Sequence, residues 1–246
     1  PTPGIDGDPR IYGLFAYGLA PGVAGYFASA HLYPQEIQPY SNQHEMIIFN
    51  LDSLSDDITG LSVQSLLAHE FQHMIRANVD DNEDTWMDEG FSTFTELYLG
   101  YPNELGAIAS FLGTPRTQLN AWAETGARTP HYGAAALYFQ YFFERYGREM
   151  IQTLSADPDS GIRAVENTIG VEASDALLAD WVLANYFMLP DTGYGYYGLP
   201  PDIIGASPLA AVNRYPFVNN SAGVQYAADY YVLENLGGAT TLNLQL

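Results

Sequence analysis

The stretch Leu66-Leu67-Ala68-His69-Glu70-Phe71-Gln72-His73-Met74-Ile75-Arg76 carries two histidines one helical turn apart inside an apolar repeat. Val63, Leu66, Leu67, Phe71, Met74 and Ile75 recur at about 100° per residue, which predicts a helix from Ser62 to about Arg76 with that stripe facing the core. One turn sets the two imidazoles about 40° apart in azimuth and about 6 Å apart along the axis. Both rings can then reach one metal ion, and Glu70 of this H-E-x-x-H pattern is placed to address a water there. The bland alternative is a surface helix with solvated His and Glu.

A catalytic zinc takes three protein ligands and leaves one position open. The next histidine is His131, too far along for a ligand that follows in the same motif, so the third ligand is sought among Glu83, Asp84, Asp88, Glu89 and Glu96. The run Trp86-Met87-Asp88-Glu89-Gly90-Phe91-Ser92 favours Glu89. In a helix from Asp88 to Tyr98, Phe91, Phe94, Leu97 and Tyr98 take one face, while Ser92, Thr93 and Glu96 share the face of Glu89. That polar face is either solvated or turned to a metal cleft, with Glu89 as ligand and Glu96 behind it. A ligating His needs an acceptor on its other ring nitrogen. Glu96, Asp88 and backbone carbonyls are equal candidates.

Composition narrows the functional classes. The 246 residues hold 29 Asp and Glu against 8 Arg and no Lys, a net charge of −21. Nucleic-acid binding and anionic-membrane binding both need basic clusters and are disfavoured. With 47% hydrophobic and 14% aromatic residues the chain can build a core. The absence of Cys removes disulfides, thiol catalysis and Cys-based zinc sites. No apolar run approaches a membrane span. Pro1 opens a Pro-rich stretch without a signal-peptide pattern, which suggests a processed product. Between Ala77 and Pro115 acids occur without a base, a field that would favour cationic peptides.

Around the motif, strands are expected at Arg10–Tyr17, Gly25–Ala28 and Glu45–Asn50. Helices are expected at 104–112, 116–124, 132–146, 148–155 and 172–188, with Gly147 and Gly170 at helix ends. A Pro/Gly/Tyr-rich connection fills 190–220, and Val224–Glu234 and Thr240–Leu246 read as strands joined at Gly237-Gly238. Asp6-Gly7-Asp8, Asp80–Asp84 and Asp157-Pro158-Asp159-Ser160 are candidate Ca²⁺ turns, but none completes an EF-hand loop, and solvated acidic loops are the favoured reading.

His69–His73 followed by Trp86-Met87-Asp88-Glu89-Gly90-Phe91-Ser92-Thr93-Phe94-Thr95-Glu96 resembles the gluzincin zinc metallopeptidases. It is similar to the aminopeptidase-N type, with its H-E-x-x-H then W-x-N-E-G-F-A-x-x-x-E, and to the hyicolysin-type neutral proteases, which share H-E-F-Q-H. The resemblance covers roughly residues 60–150. It implies Zn²⁺ on His69, His73 and Glu89 with Glu70 as general base. It also implies an oxyanion-stabilising group near Pro130-His131-Tyr132-Gly133, where the register is off by one or two residues, so that either Tyr132 or His131 can fill the role, with Tyr132 slightly favoured. It further implies an edge strand beside the cleft at 44–50, a stretch that reads at least as well as an ordinary core strand. Three departures stand out. Glu89 lies 16 residues after His73 where the aminopeptidase pattern has about 19, Asp88 replaces the usual Asn, and no G-x-M-E-N exopeptidase motif precedes the helix.

The expected fold is α+β and zincin-like. A mixed β-sheet lobe carrying the H-E-x-x-H helix spans 1–78, an α-helical lobe 79–190, and a connection with a short C-terminal β extension 191–246. The expected function is zinc-dependent cleavage of peptide or protein substrates by a neutral endopeptidase, secreted or at a bacterial cell surface. The alternatives are an aminopeptidase of the same clan and a non-catalytic zincin-like binding module of a larger surface protein.

Overall fold

Three strands and one helix frame the histidine motif. The structure, a computed structural model, describes residues 4–54, 58–79, 82–102, 104–124, 126–220, 222–238, 241 and 243. Tyr12–Ala16 (β1), Gly25–Phe27 (β2) and Met46–Asn50 (β3) form a mixed sheet in the order β1-β3-β2. β1 runs parallel to β3, with Leu14 opposite Ile48, and β2 runs antiparallel to it, with Tyr26 opposite Ile48. Ile47, Ile48 and Phe49 are buried, as suits a central strand flanked on both sides. Of the two readings of 44–50, core strand and edge strand, the first is the one found, and the short β2 holds the edge beside the cleft. The choice between them is non-local: β1 and β2 both pair with β3, which no period within residues 44–50 records.

Leu61–Ala77 (α1) packs on β2 and β3 on one side and on Thr85–Tyr98 (α2) on the other. Its stripe differs from expectation. Val63 and Met74 are buried and Leu66 is partly buried, but Leu67, Phe71 and Ile75 are exposed. Ser65, Glu70 and Arg76 are buried instead. Polar partners on α2, β2 and the loop before α2 draw these side chains inward and turn the helix away from its apolar face. α2 starts at Thr85 rather than Asp88, because Trp86 and Met87 are anchored in the core, so Glu89 lies in the second turn.

Leu105–Gly113 (α3), Thr129–Ser155 (α4), Gly161–Ile169 (α5) and Val171–Phe187 (α6) are the remaining α-helices among the described residues. α4 is the axis of the larger core, with Ala134 through Phe139 essentially inaccessible and α2 and α3 packed along it. Gly90 lets α2 approach α4, since a Cβ there would meet the Phe139 ring at 2.4 Å. The expected break between two helices falls at Gly147, whose φ of +76° interrupts α4. The helix expected at 116–124 is turns and irregular chain. Leu119 is buried and its N–H donates to the Tyr226 carbonyl, so a distant segment takes the donor a helix would need. α5 was not expected. Its nine residues include β-branched Ile162, Val165, Thr168 and Ile169, and packing of Ala164 and Val165 in the core makes it helical.

Near the C-terminus, Ala210–Val212 (β4) pairs in parallel with Tyr231–Leu233 (β5). The long strand expected at Val224–Glu234 shrinks to three residues, because its partner is a piece of the 190–220 connection. The other expected strand, Thr240–Leu246, lies largely outside the described residues, as do Asp80 and Asp81 of one candidate Ca²⁺ turn. Among the described residues the regular structure is mostly helical with two small sheets, a mixed α+β fold. Among the described residues no helix is long and apolar enough to cross a membrane.

Candidate metal centre

α1 and α2 face each other across the wall of a cleft of about 380 Å³. Along α1 the helical repeat turns His69, Glu70 and His73 toward it, and β2 closes the opposite side with Gly25, Tyr26 and Phe27. The rings of His69 and His73 stand 4.8 Å apart between centroids, at 72° to one another. Glu89, projecting from α2, sets its Oε2 3.2 Å from His69 Nε2 and 3.6 Å from His73 Nε2. His69, His73 and Glu89 are the group among the described residues whose ligand atoms converge, all within 4.8 Å of one another.

The outer nitrogens are held separately. His69 Nδ1–H donates to Glu96 Oε1 at 2.7 Å, and Asp88 Oδ2 lies 2.9 Å from His73 Nδ1. The acceptor question left open by the sequence thus has two answers, one carboxylate per ring. Glu96 is buried and also accepts from Ser65 Oγ on α1. With Nδ1 engaged on both rings, both Nε2 atoms are turned toward Glu89.

This donor set fits zinc. Tetrahedral bonds of about 2.0–2.2 Å to N and O place neighbouring donors roughly 3.3–3.6 Å apart. Two edges of the His69–His73–Glu89 triangle measure 3.2 and 3.6 Å. Imidazole and carboxylate are the ligand types that zinc takes when Cys is absent.

The electrostatics follow from the pairing. Burial disfavours a charged His69, but its hydrogen bonds to Glu89 and Glu96 outweigh that and lift its pKa to about 10. At His73 burial again opposes charge, and Asp88 and Glu89 lift the pKa to about 9. Glu89 is pushed up by burial and pulled down more strongly by the two rings, to about 2. A metal ion must therefore displace two ring protons. Between about pH 5 and 9, apparent zinc affinity is expected to rise with pH, by up to about a hundredfold per unit, and to weaken in acid. Chelator-competition titrations at several pH values, with proton release read in buffers of different ionisation enthalpy, measure this. Release of fewer than one proton would contradict the pairing.

Glu70 is nearly inaccessible and its Oε2 accepts the Phe27 N–H at 2.9 Å, which ties α1 to the edge strand. Burial raises its pKa, against the opposing pull of the two rings and that N–H. Tyr132 also lines the cleft, its ring 6.4 Å from that of His69 and edge-on to Trp122 at 4.8 Å. Burial and the nearby Glu89 raise its pKa, so the hydroxyl stays protonated as a donor. His131 instead turns to Trp122, outside the cleft lining, with Nδ1 buried and without a hydrogen-bond partner.

Two groups at the site went unread in the sequence. Glu104, at the start of α3, faces the same carboxylates, and burial with repulsion from Glu96 raises its pKa to about 7. Only tertiary packing brings it there, and no spacing marks it. Arg76 pairs with Glu83 at one end of the cleft, and its signal was visible: it is the one Lys or Arg between Arg10 and Arg116. The acids beside the cleft are thus largely engaged internally, with Asp88, Glu89 and Glu96 on imidazoles and Glu83 on Arg76.

No family model matches this chain. Over 171 residues it is 29% identical to the neutral metalloprotease ShpI of Staphylococcus hyicus, an alignment that covers 59% of this chain and 37% of that protein. The chain thus spans little more than a third of the length of this curated relative.

Proposed function

We propose that this chain is a zinc-dependent metallopeptidase of gluzincin type that cleaves internal peptide bonds. The observation that carries the reading is the convergence of Glu89 Oε2 on His69 Nε2 and His73 Nε2 at zinc-compatible separations of 3.2 and 3.6 Å, with Glu70 beside them. The similarity to a neutral metalloprotease supports it. In this reading residues 1–78, 79–190 and 191–246 form the sheet lobe, the helical lobe and an extension, and the protein acts on peptides or proteins outside the cell.

Zinc at these three atoms would supply a Lewis acid and a water of lowered pKa. Glu70 takes the proton of the attacking water and delivers it to the leaving amine. Phe27 N–H fixes the orientation of that carboxylate. Because Ala24 O and Phe27 N point to opposite sides of β2, Gly25 and Phe27 turn their backbone groups toward the cleft. An extended substrate can pair along that edge. The Tyr132 hydroxyl donates to the oxyanion that develops at the carbonyl.

The test is zinc stoichiometry combined with cleavage of casein and of N-terminally blocked peptides. One zinc per chain, with cleavage abolished by a chelator and restored by zinc, is expected. Stoichiometric zinc without cleavage of any peptide points to the binding module, and cleavage of free N-termini alone points to an aminopeptidase. Tyr132→Phe is expected to lower kcat by about 10²–10³-fold with KM nearly unchanged, as for loss of one oxyanion donor. His131→Asn should leave kcat unaltered. The reverse pattern would move the role to His131.

A further inference from the structure

Arg76 and Glu83 form a buried ion pair that belongs to none of the steps above. Arg76 lies in the last turn of α1, three residues after His73, and is 1% exposed. Its NH2 donates to Glu83 Oε2 at 2.6 Å, NH1 donates to the carbonyl of Ser155 at the end of α4, and the guanidinium lies 5.4 Å from the centroid of the Phe91 ring on α2. Glu83 uses its other oxygen, Oε1, to accept the N–H groups of Asp84 at 2.9 Å and Gly161 at 2.8 Å. Asp84 is the N-cap of α2 and Gly161 opens α5. One ion pair therefore ties together the ends of α1, α2, α4 and α5, at the cleft wall both residues line.

Such a pair is an unpromising source of stability. Desolvation of two charges offsets most of their attraction, and the best-attested gain from a buried pair is the selection of one arrangement. Here Arg76 also leaves its buried Nε without a hydrogen-bond partner. The arrangement it can select is the offset between the helix that carries His69 and His73 and the helix that carries Glu89. A constellation of this kind functions only when held to within about 0.5 Å.

We infer that Arg76 and Glu83 are positioning residues that set the α1–α2 offset and so the spacing of Glu89 from the two histidines. The inference rests on the proposed metal site, but its central distance can be read without metal.

The chain has no Cys, so spin labels can be placed at Gln64→Cys on α1 and Thr85→Cys on α2, both exposed. Pulsed electron spin resonance on the full chain then reports the inter-helix distance. Zinc affinity and the visible spectrum of bound Co²⁺ report the coordination geometry, all measured well below each variant's unfolding temperature. In Glu83→Gln the distance distribution is expected to broaden or shift, zinc affinity to fall about 10–100-fold, as when support around a metal ligand is lost, and the Co²⁺ bands to change. Arg76→Lys keeps the charge but loses the fork that reaches both Glu83 and Ser155, so a smaller change of the same sign is expected; it also serves if Glu83→Gln fails to fold. An unchanged distance distribution in the folded variants overturns the inference. So do a native Co²⁺ spectrum and affinity with only a lower unfolding temperature, because the pair would then be a staple of the fold. A parent chain that takes up no zinc defeats the metal reading, while the distance measurement still decides the role of the pair.

Discussion

Glu70→Gln is expected to lower peptide hydrolysis by about 10²–10⁴-fold, the range general acid–base groups contribute, while zinc affinity changes little. The substitution is close to isosteric. The amide oxygen of Gln can still accept the Phe27 N–H that ties α1 to β2, so the helix keeps its seat. What disappears is the proton acceptor. Burial lifts the Glu70 pKa above the ordinary carboxylate value, which brings its proton affinity nearer to working pH. A base must be unprotonated to act, so kcat should fall as pH drops through that raised pKa, and this acid limb should vanish in the variant. Measurements at saturating zinc keep the limb apart from the loss of metal in acid. A variant that retains more than about a tenth of parental activity would remove Glu70 from the mechanism.

Loss of Glu89 should act on the metal rather than on the proton. Glu89→Gln replaces an anionic oxygen by a weaker amide ligand between two imidazoles. Structural zinc sites are worth roughly 10–16 kcal/mol over about four ligands, so one ligand's share corresponds to about 10²–10³-fold in affinity. Glu96→Gln should cost less, about 10–100-fold, since Glu96 meets His69 at Nδ1, the ring nitrogen turned away from Glu89. Asp88→Asn acts in the same indirect way on His73. The order of the effects is the test. A larger loss for Glu96 or Asp88 than for Glu89 would mean that the third ligand has been misassigned. A zinc-loaded crystal structure with the Glu89 carboxylate well beyond about 2.2 Å from the ion would mean the same.

Much of the candidate site was readable because it is local. The four-residue spacing of His69 and His73 fixes their relation once the segment is helical, and the helix could be read from its own period. The association of Glu96 with the same face as Glu89 follows from their seven-residue spacing, which is about two turns. Other features were beyond local reading. Which carboxylate serves which ring depends on how two helices lie side by side, so Glu96 and Asp88 stood as equal candidates. β2, three residues long, carried too little pattern to be seen as the cleft edge, although it supplies the N–H that Glu70 accepts. The apolar stripe of α1 misled because helix orientation is settled by all partners together. Burying Ser65, Glu70 and Arg76 in polar contacts left Leu67, Phe71 and Ile75 outside.

The amino-acid sequence by itself determined the chemistry on offer: two imidazoles and a carboxylate on one helix, an acidic second helix, no thiol and one isolated arginine between them. Spacing along a helix is set by backbone geometry, which every helical segment shares, so it could be read from the letters alone. The tertiary structure decided which of those groups meet. It set Glu89 against both Nε2 atoms, gave each ring its own carboxylate, put β2 at the edge, and brought Arg76, Glu83 and Glu104 inward. Those meetings depend on packing between residues far apart in the chain, where competing partners are weighed against one another and no local period records the outcome.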